Sequence, residues 1–289
     1  MKRDAFSQCH PLVNFVFFLG AIGCTVVIQH PAYIAAGCAA AGWYLLLLNR
    51  RGGGRQVLGM VPVFLILSAV NPLFNREGET VLFTLFGSPY TLEALYYGMA
   101  IAGIFVAMML WFGCYSRVLT SDKFISLFGG LIPSLSLLLT MVLRMIPNLV
   151  RKCRQILGSR KSIGKGAGES SSAKEKLHDA VSILSALTDW ALEGSIVTAD
   201  SMRSRGYGCA RRTSFRLYRM TSRDWGLLAV LLALMGATLA LGGFSAAFTP
   251  ELSIESPTWG LAAYCVFLWI PIGMQIKESI IWRICLSRI

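Results

Sequence analysis

Three histidines, His10, His30 and His178, eight cysteines and fifteen carboxylates are the groups from which this 289-residue chain could build a catalytic or metal site. Their spacing builds none. The histidines lie far apart, no HExxH pattern occurs, and the cysteines form no CxxC pair. Several cysteines (Cys24, Cys38, Cys114, Cys265) sit inside apolar runs, so neither a zinc site nor a disulfide framework is indicated. No carboxylate, histidine or thiol converges on another as an acid–base or nucleophilic site requires. His10, just before Pro11, reads as a helix-boundary residue. The stretch GSRKSIGKG (158–166) invites a phosphate-loop reading and fails it. Gly158 and Gly164 have five residues between them instead of four, Lys165 is followed by Gly166, and no strand precedes them.

The spacing that does suggest chemistry is in Ala191–Gly208, ALEGSIVTADSMRSRGYG. Leu187, Trp190, Ala191, Gly194 and Val197 recur at three- and four-residue steps, the period of one helix face. Arg203 and Arg205 fall in the last turn, where cations suit the negative end of the helix dipole. Gly206 can take the positive φ that stops a helix. Asp189, Glu193 and Asp200 would each cost roughly 2.5–3.5 kcal/mol at a bilayer centre, so this helix is expected to stay out of the lipid. The chemistry on offer is recognition by a guanidinium at the tip of a rod, with a solvated basic helix end as the plainer alternative.

The elements that position this tip are membrane helices. The chain is 55% hydrophobic, too apolar for an ordinary soluble domain, and its net charge is +12. Without basic and aromatic interleaving, that charge indicates positive-inside topology and no nucleic-acid partner. The N-terminal run lacks a small-residue cleavage site and is expected to be a retained span. Expected spans are Pro11–Ile28, Pro31–Leu48, Val57–Phe74, Ala94–Tyr115, Trp225–Phe248 and Pro257–Ile276. Between them lie a tight turn at Gln29–Pro31, a basic glycine-rich loop at Asn49–Arg55, and a polar loop at Asn75–Tyr90 with a short extended piece near Val81–Phe86. Small residues on the fourth span (Gly98, Ala100, Ala102, Gly103) and the second (Ala32, Ala36, Ala40) offer faces for close helix approach.

Phe124–Leu143 is apolar enough to cross. Crossing would export 144–223, which holds 16 Lys or Arg against 6 Asp or Glu. The orientation rule opposes that. Six spans with both termini cytoplasmic place every Lys and Arg except Arg76 inside. Phe124–Leu143 is therefore expected to stay on the inner side or along the interface. Ser134 is expected to cap a helix to about Gly158, Gly158–Ser172 to be a turn-rich linker, and a second helix to run from about Lys174 to Arg205. The expected fold is all-α and polytopic: membrane domain 1–123, cytoplasmic region 124–223, membrane domain 224–289 with a cytoplasmic tail. The proposed spans contain no ionisable group, which argues against a secondary transporter.

These residues resemble a known family. Ala191–Gly208 is similar to the second coupling-helix signature of the transmembrane T component of energy-coupling factor transporters, ABC-type importers of micronutrients. Ser204-Arg205-Gly206 stands at that family's Ala-Arg-Gly triplet, and Ala191-Leu192-Glu193 matches its upstream start. LRMIPNLVRKCRQI (143–156) is similar to the first coupling helix, with Arg144, Ile146 and Pro147 in register. Residues 71–98 resemble the loop before the fourth span. The first triplet falls on Ser162-Ile163-Gly164, where the arginine is missing; Arg160 or Lys161 would supply charge about one turn away. The resemblance covers roughly residues 10 to 210. It implies an L-shaped, non-catalytic scaffold without cofactor or metal in a prokaryotic cytoplasmic membrane, whose two coupling helices dock on two ABC ATPase subunits. A separate small membrane component would bind the cargo (cobalt, nickel or a vitamin). The rival expectations are a stand-alone secondary transporter or channel and, with no nominated residue, a membrane enzyme.

Overall fold

The computed structural model describes residues 6–49, 52–75, 80–85, 88–128, 132–164, 172–209, 218–242, 246–247, 253–254 and 258–286. Two short antiparallel hairpins aside, it is all helix. After a 3-10 turn at Phe6–Gln8 come α1 (Pro11–Val27), α2 (Pro31–Leu48) and α3 (Gly53–Phe74). Strands β1 (Val81–Leu85) and β2 (Ser88–Thr91) precede α4 (Leu92–Val118) and α5 (Ser121–Phe128). Then follow α6 (Pro133–Ser162), α7 (Ala173–Ser204), α8 (Ser222–Leu241), the hairpin β3 (Ala246–Ala247) with β4 (Ser253–Ile254), and α9 (Trp259–Leu286). The chain is a multi-pass membrane protein: α2, α3, α4, α6, α7, α8 and α9 are each long and apolar enough to cross a bilayer. The 17-residue α1 is a shorter apolar helix.

Two compact units divide the chain: Met1–Phe124 with Tyr218–Ile289, and the inserted Ile125–Leu217. In the first, α4 packs on α1, α2 and α3, while α9 packs on α2 and α8. The core centres on rings that meet mostly edge to face. Phe17 lies 5.1 Å from Phe6, 5.7 Å from Trp111 and 5.1 Å from Phe267, a geometry that aromatic quadrupoles favour. The small residues of α4 are turned inward as expected. A Cβ on Gly98 would stand 2.9 Å from the Ser68 carbonyl oxygen and from Asn71 Cβ, both on α3; one on Gly103 would stand 2.7 Å from Ile34 of α2.

Local chemistry sets the helix starts. His10 and His30 are matching caps: each precedes a proline at the first helical position, and each Nδ1 accepts a backbone N–H, from Leu12 and Ala32, at 3.2 Å. Proline suits that position because its φ is preset and its missing N–H is not needed there. His10 is thus a helix-boundary residue.

Several boundaries differ from expectation. Helix α3 begins at Gly53, inside the expected glycine-rich loop, because Gly53 donates to the Asn49 carbonyl and Gly52 to Asn49 Oδ1, closing the turn within a few residues. A Cβ on Gly53 would sit 2.9 Å from the Leu45 carbonyl oxygen, so glycine is needed for that approach. Phe124–Leu143 is not one helix but the end of α5 and the start of α6. The cap of α6 is Ile132, with Pro133 rather than Ser134 opening the helix. Helix α6 also runs on to Ser162, four residues past Gly158, so the expected linker is shorter; residues 165–171 lie outside the described residues. Helix α8 stops at Leu241, short of Phe248, with Gly242 at its cap, and α9 continues ten residues beyond Ile276. The extended piece near Val81 is β1.

The packing predicts opposite outcomes for two glycines. Gly98→Ala overpacks the α3–α4 contact and lowers stability by about 1–3 kcal/mol. Gly59→Ala, where no atom lies within 4 Å, leaves stability unchanged or raises it by about 0.5–1 kcal/mol through helix propensity. Thermal unfolding in detergent checks both; equal shifts would refute the close-packed face.

Candidate functional site

The inserted unit contains the residues singled out by the sequence. Ser172 opens α7 with a capping box: Ser172 Oγ accepts from Glu175 N at 3.4 Å, and Glu175 Oε2 accepts from Ser172 N at 3.1 Å. Two of the orphan donors at the helix start thereby gain acceptors. Leu187, Trp190, Ala191 and Gly194 are half-buried and share a face as expected, whereas Val197, assigned to that face, is 63% exposed. Asp189, Glu193 and Asp200 are exposed.

At the other end of α7, Arg205 is the C-cap residue (φ −83°, ψ 7°) and Gly206 takes φ +77°. Gly206 N donates to the Arg203 carbonyl at 3.0 Å and Tyr207 N to the Met202 carbonyl at 3.1 Å. These two bonds make a Schellman ending, which satisfies carbonyls that would otherwise lack donors. Arg203, Ser204, Arg205 and Gly206 are all exposed, and Arg205 joins no ion pair among the described residues.

Among the described residues, the end of α6 matches in its cap, its glycine and the first of these bonds. Ile163 is the C-cap (φ −94°, ψ 14°), Gly164 takes φ +71°, and Gly164 N donates to the Lys161 carbonyl at 3.1 Å. The serines correspond too: Ser162 Oγ donates to the Gly158 carbonyl at 3.0 Å and Ser204 Oγ to the Asp200 carbonyl at 2.9 Å. Ser162-Ile163-Gly164 and Ser204-Arg205-Gly206 are therefore equivalent helix tips. They differ in the side chain displayed at the cap, an isoleucine 69% exposed against an arginine.

Two contacts hold α6 to α7. Arg160 donates to Asp179 at 2.6 Å, with both side chains about three-quarters buried. Lys152 Nζ lies 5.7 Å over the Trp190 ring, within cation–π range. These contacts place the end of α6 beside the first third of α7. From Asp179 to Arg205 the rise of an α-helix gives roughly 40 Å, so the two tips are separate places and not one site. At the first tip the two candidate cations differ in their surroundings. The Arg160 guanidinium is engaged by Asp179, whereas Lys161 is exposed. Arg144 and Pro147 lie exposed midway along α6. The pair Arg160–Asp179 was not readable from sequence, because nothing in a one-dimensional pattern sets the register of two helices.

Other groups are accounted for structurally. Two carboxylates just outside the expected spans, Glu93 and Asp224, stand in the first turns of α4 and α8. Glu93 Oε1 accepts from Thr80 Oγ1 at 2.5 Å, and Asp224 Oδ2 from Thr221 Oγ1 at 2.7 Å and Thr221 N at 3.0 Å. Among the described residues no three His, Cys, Asp or Glu side chains gather as a metal site. Residues 158–162 are helical, so they form no phosphate-binding loop. In comparisons with known proteins, no family model matches the chain and no curated sequence matches it significantly.

Gly206→Ala puts a Cβ at positive φ, a cost of roughly 1–2 kcal/mol, and frays the end of α7. Amide hydrogen exchange at residues 202–207 is expected to rise several-fold. Gly158→Ala, inside α6 with no atom within 4 Å, leaves its helix as protected as before. In a double-mutant cycle, Arg160→Gln and Asp179→Asn are expected to show a coupling of about 1 kcal/mol in thermal stability, as befits a partly exposed pair. Strict additivity would mean that the pair does not hold the helices together.

Proposed function

We propose that this chain is the membrane scaffold and energy-transmission subunit of an energy-coupling-factor-type ABC importer, working in a prokaryotic cytoplasmic membrane. In this reading α1–α4, α8 and α9 are the six spans, both termini are cytoplasmic, and α6 and α7 are coupling helices beneath them. The observation that carries it is the pair of equivalent Ser-X-Gly helix tips, roughly 40 Å apart, one ending in an exposed arginine. Two like tips so far apart suit two like partners, as a pair of ATPases would be. The lean of charge supports keeping both helices inside: α6 carries Arg144, Arg151, Lys152, Arg154, Arg160 and Lys161 and no acidic residue. Moving such a helix across the bilayer opposes the orientation rule.

The chemistry of docking follows from the tip. Arg205 leaves α7 at a backbone position fixed by the Gly206 ending, so its planar fork meets a carboxylate groove with little orientational freedom to lose. Desolvation by the partner then strengthens the charge-assisted hydrogen bonds. ATP-driven closure of the ATPases moves the two tips, and α6 and α7, tied by Arg160–Asp179 and Lys152–Trp190, carry that movement as connected rods. A separate small membrane protein holds the micronutrient, cobalt, nickel or a vitamin, and releases it inward. Hydrolysis belongs to the partners, and this chain is not an enzyme.

Arg205→Glu is expected to abolish capture of ATPases by the tagged full-length protein from native membranes, while membrane insertion and yield stay at wild-type levels. A mild-detergent pull-down with mass spectrometry reads this. Capture of no ATPase by well-folded wild type would sink the scaffold reading. Flux through liposomes holding this chain alone would favour a secondary transporter or channel in its place.

A further inference from the structure

The inserted unit leaves the first unit after Phe124 and returns at Tyr218. A buried polar group stands beside each junction, and both reach the same five residues. Lys123 is 6% exposed; its Nζ donates to the Val118 carbonyl at 2.9 Å, to Ser7 Oγ at 2.9 Å and to the Ser7 carbonyl. Asp224 is 8% exposed; its Oδ2 accepts from Thr221, and its Oδ1 accepts from His10 N at 3.3 Å. Ser7 and His10 bracket a segment fixed from both sides. Phe6 is fully buried against Phe17 and Phe18, and His10 caps α1. The 3-10 turn also packs against α9.

Capping alone does not explain these contacts. Asp224 completes the capping box of α8 with Oδ2, so Oδ1 is surplus to the cap and is spent on His10. The end of α4 could be closed by a glycine without burying an ammonium, a group whose desolvation is costly unless it is hydrogen-bonded. Lys123 accepts that cost and bridges the end of α4 to Ser7. We propose that Lys123 and Asp224 are positioning residues that fasten the two junctions of the inserted unit to one clasp, Phe6–His10, so that a displacement at either junction is passed to the other and to α1. The inference deepens the scaffold reading, on which its functional meaning rests: the clasp is where movement of the coupling helices would be handed to the spans.

Amide hydrogen exchange on the full-length chain in lipid nanodiscs tests it. Lys123→Met removes the ammonium and keeps most of the stem. Exchange is expected to rise tenfold or more at Ser7–His10 and also at the far junction, Thr221–Asp224, with the α2 amides near Leu45 unchanged. A merely local role would raise exchange around Lys123 and Ser7 alone, and that pattern would overturn the proposal. Should Lys123→Met raise exchange everywhere, the chain has unfolded and Ser7→Ala decides. That variant loses one hydroxyl, and a smaller rise at Thr221–Asp224 supports the clasp while none overturns it. Thr221→Ser, which keeps its hydroxyl, is expected to match wild type. The chain is measured without partners, so a failure to capture ATPases would remove the scaffold reading and leave this result intact.

Discussion

Helices in lipid gain nothing from hiding apolar side chains from one another, because the surrounding chains are equally apolar. Their association depends on how closely they can approach. In this protein that constraint falls on α4. Gly98 meets the backbone of α3 and Gly103 meets Ile34 of α2, each at a distance that leaves no room for a Cβ. Gly53 plays the same part between α2 and α3. On α1, Gly20 stands close to Phe267 of α9, and Phe17, Trp111 and Phe267 interlock. The caps at His10 and His30 then fix where α1 and α2 begin.

The inserted unit is built on a different principle. Helices α6 and α7 pass the length and hydropathy thresholds for crossing a bilayer, yet none of the residues in their apolar windows is buried. The two helices meet through Arg160–Asp179 and Lys152–Trp190, while Leu177, Val181, Leu184 and Ile196 on α7 and Leu138, Val142, Ile146 and Val150 on α6 are exposed. Exposed apolar surface of this extent fits an interaction with a membrane or with another protein. Hydropathy summed over a window reports length and apolar content, not which face of a helix is covered.

The sequence was legible where chemistry is local. Uncharged apolar runs of spanning length located the helices of the first unit, His10 was readable as a boundary residue from Pro11 after it, and Arg205-Gly206 was readable as a helix end because only glycine takes φ +77° at little cost. It was illegible where tertiary contacts decide. Helix α6 outlasts Gly158, and two residues further on Arg160 finds Asp179 on α7; a partner 19 residues away on another helix leaves no periodic trace. The same contact engages Arg160 and leaves Lys161 exposed at the first tip. Lys123 looked like one more cytoplasmic charge, and only the fold brings Ser7 to it.

The two tips share a backbone but not a chemistry, and this bears on what they can meet. A groove built to hold a guanidinium presents carboxylates. Placed over Ile163, the same groove would leave those carboxylates without a donor unless Lys161, two residues back on the last turn, reached them, and an unsatisfied buried acceptor costs about 1–3 kcal/mol. An apolar slot would welcome Ile163 and reject Arg205 for the converse reason. Under the scaffold reading, the asymmetry between isoleucine and arginine therefore requires a matching asymmetry in the partners: two different grooves, or one groove gripped by its carboxylates at α7 and by shape at α6. The equivalence of the backbone endings fixes how each tip is presented, and the side chain at the cap decides how firmly it is held.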